Sequence, residues 1–166
     1  DIINNAPPKF AWVKELGHKI IKNTNITIDG QTIQSLSAEL IHLLYKIYFN
    51  PNHERGYNIL IGNTTDMYTP STTQKKIKTL YINLPYWLEK KAGNYLPLNN
   101  LIHALTNLNL TINDLSEVLY TDPDTYFVKQ PKLKCGVLCQ YAFVDDDERI
   151  RMANNKLEYL FERHLY

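Results

Sequence analysis

The sequence predicts a mainly β fold, an antiparallel β-sandwich with short helices in its connections, and three observations carry that expectation. Leu80, Ile82 and Leu84 alternate with Tyr81, Asn83 and Pro85, and the same period returns with Leu108, Leu110 and Ile112 opposite Asn107, Asn109 and Thr111. Successive side chains of a strand point to opposite faces, so each run reads as a half-buried strand. The most regular run follows: Leu133, Cys135, Val137, Cys139, Tyr141 and Phe143 share one face and Lys132, Lys134, Gly136 and Gln140 the other, which predicts a strand lining the core. Composition is the third observation. The 12 tyrosines, with abundant Asn, Thr and Ile, suit pleated sheet and turns.

Residues 1–10 read as an irregular lead-in, because Pro7-Pro8 enforces extended backbone and removes two ladder donors. In the run from Trp12 to Ile33, Ile26 and Ile28 oppose Asn25 and Thr27 on a strand, Asp29-Gly30 is a hairpin dipeptide, and Gln31-Thr32-Ile33 is a short return strand. His18 stands just before this strand, where a hydrogen-bonded structural role is expected over a catalytic one. Ser37 to Tyr48 has Leu40, Leu43, Leu44 and Ile47 at helical spacing, with Ser35 or Ser37 as N-cap. Asn50-Pro51-Asn52 ends that helix, and His53 to Lys78 reads as a long surface loop with one apolar patch at Tyr57 to Ile61. Lys90 to Asn94 is the turn between the two half-buried strands, and Asp114 to Gln130 is a second loop. Asp145 to Glu148 places negative charge at the start of a helix carrying Ile150, Ala153, Leu157 and Leu160 or Phe161. Such charge suits the helix dipole, and the run lacks the spacing and glycine of a calcium loop.

At 166 residues the chain fits one domain with a real core. Its 18 Lys and Arg against 17 Asp and Glu leave a net charge of +1, so nucleic acid is not an expected partner. Asp1 to Asn5 show no signal-peptide pattern, and no window approaches the roughly 20 apolar residues of a membrane span. Cys135 and Cys139 lie four apart on one strand face, about 13 Å from each other at about 3.3 Å per residue, too far for a disulfide. They are expected as free core thiols. His18, His42, His53, His103 and His164 are scattered without a paired motif, so neither a metal nor a cofactor is expected. Three glycosylation sequons at Asn25, Asn63 and Asn109 are discounted as chance matches in an Asn- and Thr-rich chain. No phosphate loop, nucleophile elbow or H-E-x-x-H motif is present, and an enzyme is not expected.

The order of these segments resembles the major capsid proteins of the nucleocytoplasmic large DNA viruses, the double jelly-roll family. FAWVKELGHKIIKNTNITIDGQTI is similar to that family's W-V-x-x-x-G-H-x-x-I strand and I-G-G-Q turn, carried here by Trp12, Gly17, His18, Gly30 and Gln31, with Asp29 replacing the first glycine. Gly56, Tyr57 and Gly62 match its G-Y-N-x-x-x-G segment. LYINLPYWLEKKAGNYLPLNNL resembles its L-Y-I-P-L-P-F-W-F signature and the A-L-P-L-I-A-L strand that follows, through Leu84, Pro85, Trp87, Pro97 and Leu98. YAFVDDDERIRMANNKLEYLFERHL resembles its Y-V-Y-L-D-x-D-E-R-R-x-F-A segment through Asp147, Glu148 and Arg149. Asn99-Asn100 and Glu89-Lys90-Lys91 depart from the pattern.

The resemblance implies an antiparallel jelly-roll β-sandwich whose role is structural: a viral protein of the virion, the capsid of a large DNA virus, assembled in the host cytoplasm. It implies a homotrimer with pseudo-hexagonal outline, meeting neighbouring capsomers and minor capsid proteins, with no direct membrane insertion. Residues 11–149 would be the first jelly roll without its opening strands, and 150–166 a helix leading towards a second roll, so the chain would be a fragment or a shortened relative. A minor capsid or penton protein with a single roll is the near alternative. A carbohydrate-binding jelly roll, with Tyr81, Tyr86, Trp87 and Tyr95 stacking on sugars, is the distant one.

Overall fold

The computed structural model describes residues 8–48, 50–90, 92–101, 103–122, 132–155, 158, 160 and 162. In chain order its elements are β1 (Phe10–Trp12), α1 (Leu16–Ile20), β2 (Ile21–Ile28), β3 (Gln31–Ser37), α2 (Ala38–Tyr48), α3 (Glu54–Leu60), α4 (Thr65–Tyr68), α5 (Trp87–Lys90), β4 (Thr106–Ile112), α6 (Leu115–Val118), β5 (Leu119–Thr121) and α7 (Asp146–Asn154). All described pairing is antiparallel: β1 with β5, and a three-stranded sheet in the order β3-β2-β4.

The hairpin between β2 and β3 forms as the dipeptide predicts. Asp29 and Gly30 both take positive φ, 48° and 78°, and Ile28 faces Gln31 across the two-residue turn. Two residues in the left-handed region give the turn the twist of the strands it joins. The return strand is longer than expected, reaching Ser37, so Ser35 belongs to the ladder. Ser37 is the cap: its Oγ accepts from the Leu40 N–H at 3.3 Å.

The main core lies between this sheet, α2 and the segment entering α5. Ile21, Ile26, Leu36, Leu40, Ile41, Leu44, Tyr86 and Trp87 form it. A smaller cluster of Leu16, Met67 and Val118 holds α1, α4 and α6 together. No helix among the described residues is long and apolar enough to cross a membrane.

Several expectations are corrected. The helical stripe of α2 is turned: Ala38, Leu40, Ile41 and Leu44 are buried, whereas Leu43 and Ile47 are exposed. Burial follows the side that meets the sheet, and Ala38 and Ile41 complete that side. His53 to Lys78 is not a plain loop. Asn50 caps a 3-10 turn at Pro51–His53 by accepting from the Asn52 N–H, α3 and α4 follow, and Ile61 and Met67 are buried. Asp114 to Gln130 likewise contains α6 and β5, with 123–130 outside the described residues.

Leu80, Ile82 and Leu84 are half-buried with Tyr81 and Asn83 exposed, so the predicted faces are right, yet the segment joins no sheet among the described residues. The Tyr81 N–H donates to Leu60 O at 2.9 Å, a loop contact with α3. Pro97-Leu98 opens a 3-10 turn at Leu98–Asn100, not a strand.

The regular alternation from Lys132 to Phe143 is the largest departure. These residues pair with no strand among those described, Leu133, Val137, Leu138, Tyr141 and Phe143 are exposed, and Cys135 and Cys139 are exposed free thiols. A two-residue period states which faces a strand would have, while a partner ladder is what makes it one. The last helix starts within the acidic run, as expected, at Asp146, with Asp145 Oδ1 accepting from the Glu148 N–H at 2.8 Å, and ends at Asn154. Of its expected later stripe, Leu157 and Phe161 lie outside the described residues, and Leu160 is exposed.

Candidate functional site

Four of the motif residues meet at one point. Gly17 lies in α1 against the end of α3, and its N–H donates to Ile61 O at 2.7 Å. A Cβ there would stand 3.0 Å from Ile61 Cα and 3.1 Å from Ile61 O, so any side chain would push the Ile61 backbone back by a few tenths of an ångström. Gly62 has φ 74°, and a Cβ on it would meet Leu80 Cδ2 at 2.8 Å. Between these glycines His18, 1% exposed, pairs its Nε2 with Tyr57 Oη at 2.7 Å. Gly17→Ala is expected to lower stability by about 1–3 kcal/mol, since backbone cannot swing away as a side chain can. Urea unfolding should show a lower midpoint with an unchanged m-value.

On its other side His18 meets two residues that the sequence reading passed over. His18 Nδ1 lies 3.3 Å from His42 Nδ1 and 4.0 Å from Glu15 Oε2, and His42 Nδ1 lies 2.9 Å from the same oxygen. The other carboxylate oxygen of Glu15 pairs with Lys46 Nζ at 3.4 Å. Glu15 reaches this position from a left-handed backbone, φ 55° and ψ 44°, just before α1. Tyr45 stacks on Tyr57 at 3.9 Å between centroids, and both rings border His18. Burial holds the His18 pKa down, to about 4, against the pull of Glu15 upwards. The ring is therefore neutral near pH 7. Burial, then Glu54 and Glu15, raises the Tyr45 pKa.

The expected structural histidine is thus found hydrogen-bonded and buried. The scatter of His18 and His42 along the chain is undone by folding, because α1 and α2 pack side by side and present His18 and His42 to each other. The signal available in sequence was weak: Glu15 and His18 at a helical i, i+3 spacing, and His42 on the polar side of the α2 stripe.

A second convergence surrounds Trp87. Its backbone N–H donates to the Oε1 of buried Gln34 at 3.1 Å, and its ring packs edge-on against Tyr86 at 6.3 Å. Tyr86 Oη meets Thr24 Oγ1 at 2.8 Å, and Thr24 also donates to Asn109 O at 3.0 Å, so the turn is tied to β2 and β4. Leu84 and Pro85 lead into it half-buried. Tyr86 and Trp87 are each 5% exposed and offer no ring face to a sugar; Tyr81 and Tyr95 are exposed. The remaining motif residues stay apart. Trp12 borders the smaller core, Gly30 and Gln31 lie at the exposed hairpin, and Gly56 is exposed on α3. Asp147, Glu148 and Arg149 lie on α7, where Arg149 pairs with Asp146 and Glu148 with Arg151.

The family described as "Major capsid protein N-terminus" matches residues 2–143. The chain belongs to this major capsid protein family. Among curated relatives, the major capsid protein of Pyramimonas orientalis virus is 30% identical over 95% of this chain and 38% of its own length. That of Phaeocystis pouchetii virus is 28% identical over 92% of this chain and 35% of its own. "Probable capsid protein 3" of Acanthamoeba polyphaga mimivirus is 24% identical over 99% of this chain and 8% of its own. The chain therefore spans well under half of these capsid proteins. In fold it is similar to the crystal structure of PBCV-1 VP54 fitted into a cryo-EM reconstruction of the virophage Sputnik, with a TM-score of 0.60 at 18% identity over 98% of this chain and 41% of that one. The fold class is the antiparallel jelly roll, with short helices in its connections.

Proposed function

We propose that this chain is the wall of the first jelly roll of a major capsid protein, a structural part of a large DNA virus shell with no catalytic role. The family match over residues 2–143 carries this reading. The protein would form a homotrimer, meet neighbouring capsomers and minor capsid proteins, and reside in the virion after assembly in the host cytoplasm. Residues 11–149 would be the roll and the segment from Ile150 the lead towards a second. Physical support comes from the surface: Leu43, Ile47 and Tyr48 on α2 and Leu108 and Leu110 on β4, the outer strand of the sheet among the described residues, are exposed apolar groups that a packed wall would cover.

Motif residues would serve this role by fixing geometry. Gly17, His18, Tyr57 and Gly62 hold α1 against α3, and Trp87 holds the turn against the sheet. The mass of the protein made from the whole reading frame tests the proposal. Sedimentation as a trimer of a chain long enough for two rolls is expected. A monomer that retains a glycan would overturn the proposal in favour of the carbohydrate-binding alternative.

A further inference from the structure

We propose that Glu15, His18 and His42 form a zinc(II) site, with Glu15 Oε2 and the two imidazole Nδ1 atoms as ligands and water in the fourth position. The three atoms lie within 4.8 Å of one another, at separations of 2.9, 3.3 and 4.0 Å. Bonds of about 2.0–2.1 Å at tetrahedral angles place ligand atoms about 3.3 Å apart. The observed triangle brackets that value and makes one face of such a tetrahedron.

Protons account less well for the cluster. Two neutral imidazoles facing each other through Nδ1 can share one N–H, and the carboxylate beside His42 competes for it. A cation at the centre satisfies all three acceptors together. The outer contacts are also those a zinc site uses. His18 Nε2–H can donate to Tyr57 Oη, which fixes the tautomer with its Nδ1 lone pair towards the cluster. Lys46 occupies Glu15 Oε1 and leaves Oε2 for the metal. His18 is fully buried, while Glu15 and His42 side chains are 22% and 40% exposed, so metal and water can enter from the His42 side. Glu15 holds its left-handed backbone at this same point, where a functional demand on geometry is a reason for a non-glycine residue to stay.

Zinc here would clip α1 to α2, a role separate from shell assembly. The test is titration of the untagged, EDTA-stripped full chain with zinc chloride, followed by cobalt(II) as a spectroscopic probe. One zinc per chain and the intense visible bands of tetrahedral cobalt are expected. His42→Ala and Glu15→Gln, both at partly exposed positions, should each weaken binding at least about tenfold with an unchanged far-ultraviolet circular dichroism spectrum. Tyr57→Phe should weaken it about 10–100-fold, the usual cost of losing an outer-shell partner. Failure of the wild-type chain to take up zinc would overturn the proposal, as would binding that His42→Ala and Glu15→Gln leave at wild-type strength. Neither result bears on the capsid reading.

Discussion

Trp87→Ala is expected to cost about 3–5 kcal/mol, the range for emptying a buried aromatic site. The indole is 5% exposed, lies in the main core and packs against Tyr86, so its removal leaves a cavity in a core that Leu84 and Leu88 also pack against. These neighbours are restrained. Tyr86 is held to Thr24, and the Trp87 backbone is held to Gln34, so the site can collapse only by giving up hydrogen bonds. Trp87→Phe keeps an aromatic body and should lose clearly less. Urea unfolding of both variants checks this. A loss below about 1 kcal/mol for Trp87→Ala, the size of a surface substitution, would show that the turn is not anchored by this ring.

Acidification is expected to destabilise the metal-free protein between about pH 6.5 and pH 4. His18 has a folded pKa of about 4 against an ordinary 6.5, because burial disfavours its charged form. In that window the unfolded chain binds a proton that the folded chain refuses, so stability falls as pH falls. Above the ordinary value both states are neutral and the contribution is fully present. Below the folded value both are charged and the loss is complete, at up to about 3 kcal/mol from this residue. Denaturation midpoints measured across that range in EDTA should decline, and His18→Gln should flatten the decline. A profile unchanged by that substitution would assign the titration elsewhere.

How far the sequence disclosed this molecule depends on what each pattern records. The Asp29-Gly30 hairpin was legible, and the cap was narrowed to Ser35 or Ser37, because short-range stereochemistry decides them. The faces of Leu80, Ile82 and Leu84 were legible too, since alternation records burial. Whether they join a ladder is a property of the neighbouring strand, and there the pattern is silent. The same gap separates the regular run at 132–143 from its exposed state, in which it pairs with no strand among the described residues. At the candidate site His18 and Tyr57 were found through motif resemblance. Glu15, His42 and Gln34 were missed, because their meaning arises only when α1 packs on α2 and β3 passes under the Trp87 turn.

The order β3-β2-β4 also sets a schedule. Ile28 pairs with Gln31 across two residues but with Thr106 across nearly half of the chain, so the two sides of the central strand close at very different times. During synthesis the β2–β3 hairpin can form as soon as both strands leave the ribosome, while the far edge of β2 waits for β4. Contacts of long sequence separation form slowly, and a waiting edge can pair with another chain. Where copies of the chain are made close together, the rate at which β4 arrives would then decide between folded chains and aggregates.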